Sequence, residues 1–258
     1  MASIQFSHAN GFPAPVYEPF LRHFPQHDIH AIPVLGEGTY AIRNSWKSLA
    51  RELIDTIESR QNGPVVGIGH SLGGVATFWA AQERPDLFSQ VFLLDPPIFQ
   101  WSVRFLSGLT RLIGVQSRLV PIIRKAHQRR DQFMSREEAT SYWKPKRLFR
   151  DFDPEAFAAY VEHGLVDHPD GDLTLRISKK AEAKVFSTSP VFLGDCRLQM
   201  PSYYLHPTKG VLTSRALKEH KKNFTNTQFV SVEGGHMFPL ENPKETAELI
   251  QGLMQEGK

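Results

Sequence analysis

The chain has 258 residues, 41% of them hydrophobic and 22% charged, enough for one α/β domain with a sizeable core, alone or carrying an insertion. A single cysteine, Cys196, excludes an intramolecular disulfide framework and suits a reducing compartment; residues 1–12 lack the features of a signal peptide, and no apolar run reaches the ~18 residues of a membrane span, so a cytoplasmic address is expected. The net charge of +3 names no partner class, and without zinc spacing, an RNA-binding signature or a helix-turn-helix pattern, a nucleic-acid partner is not expected.

In chain order, "SIQF" (3–6) and "HAIPVL" (30–35) read as strands, and Asn44 to Glu58 as a helix with Trp46, Leu49, Leu53, Ile54 and Ile57 at helical spacing. "PVVGIG" (64–69) is a third strand, followed by a helix over Gly73 to Glu83 and a fourth strand, "QVFLLD" (90–95). Alternating strand and helix with short connections predicts a parallel sheet covered on both faces.

After Asp95 the strand rhythm stops for about a hundred residues. From Trp101 to roughly Tyr160 the pattern is helical, interrupted by Gly108, Gly114, Pro121 and Pro145. Residues 100–150 hold twelve Lys and Arg against three Asp and Glu, near +9 where the remainder is near −6, which marks this stretch as a separate unit. Arg104, Arg111, Arg118 and Lys125 recur every seven residues, about two helical turns, with apolar residues between them. Rhythm returns with "PSYYLH" (201–206), a helix over 214–223, "TQFVSV" (227–232) and a closing helix over 244–254. The expected architecture is a mostly parallel α/β sheet of at least six strands, built from residues 1–97 and 188–258, with a helical insertion over 98–187.

Gly69-His70-Ser71-Leu72-Gly73 matches G-x-S-x-G, a pattern with mechanical meaning only between a strand and a helix, as here. The turn strains the serine backbone and needs small neighbours, while the helix N-terminus favours nearby negative charge. The alternative is a glycine-rich turn that binds a phosphate or merely packs.

"GHSLGG" after a strand, "SHANGFP" (7–13), "LLDP" (93–96) and "GGHMFPLENP" (234–243) occur in an order that resembles the α/β-hydrolase fold family, over nearly the whole chain. Members usually have two further N-terminal strands, so the chain resembles a shortened member. The resemblance places His236 at the catalytic histidine position, where a base takes the serine proton and returns it to the leaving group. His70 lies inside the elbow and is expected to point elsewhere. The Leu72 amide follows from its place after the nucleophile, and aligning Gly11-Phe12-Pro13 with the family's Gly-aromatic-Pro makes the Phe12 amide the first choice for the second oxyanion donor, with Asn10 as the fallback. His8 is expected to be structural.

The family's acid usually follows the strand at 201–206, yet "HPTKGVLT" has no Asp or Glu and puts Lys209 or Gly210 at that point. Three readings stay open. Asp95 supplies the acid from the adjacent strand, as in some members; Glu233 supplies it from the strand before His236; or there is none. The resemblance makes the insertion a cap over the site, with a membrane-surface contact or an acidic acyl-carrier or coenzyme partner as alternatives. It implies a serine hydrolase acting on a small-molecule ester or thioester through an acyl-enzyme on Ser71, requiring no cofactor or metal. Serine rather than aspartate at 71 disfavours dehalogenase and epoxide hydrolase chemistry. The rival is a catalytically weak or inactive binding protein that retains the pocket.

Overall fold

The computed structural model describes residues 1–60, 63–97, 121–189, 196–210, 214–224 and 226–256. The strands are β1 (Ser3–Ser7), β2 (Asp28–Ala31), β3 (Val65–His70), β4 (Phe88–Leu94), β5 (Gln132–Phe133), β6 (Leu165–Asp167), β7 (Leu173–Leu175), β8 (Ser202–Pro207) and β9 (Thr227–Val232). The α-helices are α1 (Glu18–Leu21), α2 (Lys47–Arg60), α3 (Leu72–Glu83), α4 (Pro121–Gln128), α5 (Arg136–Trp143), α6 (Pro154–His163), α7 (Lys179–Ser187), α8 (Ser214–Asn223), α9 (Phe238–Glu241) and α10 (Pro243–Glu256).

Six strands form one sheet in the order β2-β1-β3-β4-β8-β9, with every neighbouring pair parallel. This is an α/β sheet with both faces covered, and β4 shows why. Its side chains alternate between two apolar layers: Val91 and Leu93 pack with residues of α2 and α3, whereas Phe92 and Leu94 join Ile4, Phe6 and residues of α10. On α2 the expected stripe of Leu49, Leu53, Ile54 and Ile57 is buried, and α3 is buried almost all round from Leu72 to Ala81. The strand expected at 30–35 lies at 28–31 instead. Pro33 has no N–H to give a ladder, and its carbonyl turns to accept from the Ala14 amide at 2.9 Å.

Between β4 and β8 the described residues form α4 to α7 and a second, antiparallel sheet in the order β5-β7-β6. These strands were not expected, because two or three residues are too few to show alternation. The helices start at readable signals: Ser135 accepts from the Glu138 amide, Asp153 from the amides of Glu155 and Ala156, and Ser178 from the Ala181 amide. The heptad-spaced Arg104, Arg111 and Arg118, with Gly108 and Gly114, lie outside the described residues. An aromatic cluster joins the insertion to the main sheet. Phe12, which follows β1, stands 4.9 Å from Tyr160, and Tyr160 in turn meets Trp143 at 4.9 Å and Phe149 at 4.8 Å. Among the described residues, no helix is long and apolar enough to cross a membrane.

Candidate active site

Ser71 is the single residue between β3 and α3 and takes φ 53° and ψ −116°, left-handed for a side chain that strongly disfavours it. Its amide donates to the Leu94 carbonyl at 2.9 Å, which ties the turn to the neighbouring strand. The closeness of the turn explains its glycines: a Cβ on Gly69 would stand 2.4 Å from the Gly73 carbonyl, and one on Gly73 would stand 2.2 Å from that of Ser7. No larger residue fits at either place without moving backbone.

The Ser71 hydroxyl donates to His236 Nε2 at 3.0 Å, and His236 Nδ1–H donates to Asp95 Oδ2 at 2.6 Å. The direction follows from chemistry, since a carboxylate only accepts and therefore takes the ring's proton at Nδ1, leaving Nε2 free to accept. Asp95 caps the end of β4 with φ 41°, a conformation aspartate tolerates better than most residues, and its amide is held by the Leu205 carbonyl of β8 at 2.8 Å. Its side chain is 13% exposed, against 43% for His236.

Glu233 is elsewhere. It is exposed, accepts from the Thr208 hydroxyl at 3.0 Å and pairs with Lys209 at 3.2 Å; those two contacts hold its carboxyl below the usual carboxylate range. The loop after β8 thus presents a lysine to Glu233 and no acid to His236. Among the described residues, no cluster of His, Cys, Asp and Glu could hold a metal ion.

The model of the alpha/beta hydrolase family matches residues 6–249. The chain belongs to the alpha/beta hydrolase family. It is 25% identical over 253 residues to the lipase LipV of Mycobacterium tuberculosis, covering 93% of this chain and 88% of that one. Among solved structures it is similar to E-2-(acetamidomethylene)succinate hydrolase, with TM-score 0.80 at 18% identity over 98% of this chain and 91% of that one. It is also similar to the M. tuberculosis esterase Rv0045c, with TM-score 0.71 at 19% identity over 98% and 84%.

Beside Ser71 in this alpha/beta hydrolase, residues 9–12 make a tight turn. Gly11 takes φ 79°, and the Phe12 amide closes the turn on the Ala9 carbonyl at 3.2 Å. The Phe12 N–H, the first choice for an oxyanion donor, is therefore engaged within its own loop, and its ring belongs to the aromatic cluster. The Leu72 amide opens α3. The Gly73 amide donates to the His8 carbonyl at 3.1 Å, so the loop leaves β1 directly against the elbow.

His8 is buried, donates from Nδ1 to the Ala9 carbonyl at 2.8 Å and accepts at Nε2 from the Leu35 amide at 2.7 Å. Burial lowers its pKa to about 4, so it is a neutral brace between two loops. From the insertion side, the Glu182 carbonyl accepts from Asn10 Nδ2 at 3.2 Å, and Arg129 pairs with the Glu182 carboxylate at 2.6 Å while also donating to the Tyr160 hydroxyl. A Cβ on Gly11 would touch both Arg129 and Glu182, each about 3.5 Å away or nearer.

Three contributors escaped the sequence reading. Glu241 accepts from the Gly235 amide at 2.6 Å and so holds the turn that carries His236. Arg129 and Glu182 are 53 residues apart and meet only through folding of the insertion. His70 does face away from Ser71, as expected, but reaches the backbone carbonyl of His236.

Proposed function

We propose that this chain is a serine hydrolase that cleaves a carboxylic ester or thioester through an acyl-enzyme on Ser71. The observation that carries the reading is the continuous relay from the Ser71 hydroxyl through His236 to Asp95, at 3.0 and 2.6 Å. Serine alone is too weak an acid to ionise at neutral pH, so His236 accepts its proton during attack and returns it to the leaving group. Asp95 keeps the imidazole in the tautomer that presents a bare Nε2 and stabilises the imidazolium formed on the way.

The Leu72 amide, at the positive end of α3, is one donor to the tetrahedral oxyanion. For the second we choose the backbone amide of Asn10 over that of Phe12, because the Phe12 amide already closes the turn on the Ala9 carbonyl. The insertion is the cap, and its Arg129–Glu182 pair rests on the oxyanion loop. Small-molecule acyl substrates fit the likeness to a lipase and an esterase. The rival reading of a pocket without turnover rested on a missing acid, and the Asp95 contact supports the enzyme instead.

A fluorophosphonate probe and p-nitrophenyl acetate and butyrate test the proposal. Labelling and hydrolysis by the wild type, both abolished in Ser71→Ala, are expected. A wild-type protein that neither labels nor turns over defeats it.

A further inference from the structure

The histidine inside the elbow is fully buried, and neither of its ring nitrogens is idle. Tyr17, in the helical turn after the loop of residues 9–12, is buried as well, and its hydroxyl oxygen accepts from the Ala9 amide at 3.3 Å. With that amide occupying the oxygen, the phenolic proton goes to His70 Nδ1, 2.7 Å away. The proton of the neutral ring then sits on Nε2 and is donated to the main-chain carbonyl of His236 at 2.9 Å. The opposite polarity would set a bare Nε2 against a carbonyl oxygen, two acceptors in contact. Burial holds the imidazole neutral, with its pKa lowered to about 3, and pushes the Tyr17 phenol far above its ordinary range, so neither group ionises near neutrality. Around His70 stand the rings of Tyr17, His236 and Phe238, at centroid distances of 5.8, 5.2 and 6.2 Å.

We propose that Tyr17 and His70 form a buried hydrogen-bonded strut that positions the backbone of His236 and ties it to Ala9, so that the base and the oxyanion loop are held in one frame. This rests on the reading of Ser71 and His236 as nucleophile and base. His70 itself touches neither Ser71 Oγ nor the site of attack; it is a positioning residue. The geometry gives it leverage, because the side chain of His236 must meet Ser71 at one end and Asp95 at the other. Its backbone carbonyl is the point from which that reach is measured.

The test separates the two nitrogens. In His70→Gln the new side-chain amide reproduces the Nε2 donor to the His236 carbonyl, whereas His70→Asn keeps only an acceptor near Tyr17. With p-nitrophenyl butyrate, His70→Asn is expected to lose ~10–100-fold in kcat at little-changed KM, as misplaced reacting groups do, and to label more slowly with fluorophosphonate. His70→Gln recovers most of the rate. Tyr17→Phe, which deletes only the hydroxyl, gives a smaller kcat loss of the same kind and decides the matter if His70→Asn does not fold. Wild-type kcat in a folded His70→Asn or in Tyr17→Phe overturns the strut.

Long-range proton–nitrogen spectra of the wild-type protein read the strut without any activity. The expected result is one His70 signal with Nε2 protonated, Nδ1 bare and no titration between pH 5 and 9; the other tautomer, or titration in that window, overturns it. If the wild type neither labels nor hydrolyses while these spectra hold, the hydrolase reading fails and the strut stands.

Discussion

The loop of residues 8–12 is held from two sides by different physical means. On the sheet side backbone geometry dominates, with the Gly73 amide on the His8 carbonyl, a strained Ser71, glycines with no room for a methyl group, and one buried hydroxyl, that of Tyr17, on the Ala9 amide. On the insertion side they are side-chain packing and charge, with Phe12 in an aromatic cluster and a largely buried Arg129–Glu182 pair against Gly11. The first kind repeats wherever a strand must turn sharply into a helix, and it leaves a motif. The second depends on partners that only the folded chain brings together, and it leaves none. The difference separates the two jobs: the sheet edge carries the proposed chemistry, and the insertion fixes the loop beside it.

The largest expected effect lies on the sheet side. Ser71→Ala is expected to remove ~10⁶-fold in kcat with the melting temperature little changed, as loss of the nucleophile does in serine hydrolases. Asp95→Asn follows at ~10⁴-fold, because the histidine loses the partner that sets its tautomer; steady-state kinetics measure both. A near-wild-type Asp95→Asn would remove the acid from the mechanism.

The insertion side should break differently. Arg129→Leu leaves Glu182 buried without its partner and is expected to cost ~3–5 kcal/mol in denaturant unfolding. The double change Arg129→Leu with Glu182→Leu should recover most of that cost. If it does not, the pair is not coupled, and the contrast drawn between the two sides fails.

A smaller effect concerns acid. Below pH 6.5 the unfolded chain protonates the imidazoles of His8 and His70, whereas the folded chain keeps them neutral down to about 4 and about 3. The unfolded state therefore binds more protons, and stability falls as pH drops from about 6.5 toward 4. His70→Gln, which keeps the donor to His236 but cannot titrate, should make that fall shallower in melts between pH 7 and 5. The smallest effect is expected at Glu233→Gln, on the surface with Thr208 and Lys209, where kcat should stay at the wild-type value.

Much of the sheet was legible because its strands and helices repeat at their own periods. Leu49 to Ile57 announced α2, and the run ending at Asp95 announced β4. The strands β5, β6 and β7 are too short for any period to register, and Pro33 displaced β2 toward Asp28. In the site, the glycines around Ser71 nominated that residue from local context, and the resemblance of the run around His236 to the family nominated the histidine. Asp95, Glu233 and the absence of an acid could not be separated by local context, since the choice turns on which carboxylate the sheet brings to one imidazole. For the loop of residues 9–12, an alignment on Gly-aromatic-Pro pointed to an amide that the turn itself occupies.

The sequence by itself determined the parallel α/β core and the sharp turn at Ser71, because each depends on residues near one another in the chain and on steric rules that act over a few bonds, while the candidate histidine came from the resemblance to the family. Only the tertiary structure decided that β4 delivers Asp95 to His236 at 2.6 Å, that Tyr17 and His70 link the Ala9 amide to the His236 carbonyl, and that Arg129 meets Glu182 over Gly11. Those contacts join residues up to 166 positions apart. Their partners are selected by the register of a sheet and the packing of an insertion, which no local pattern encodes.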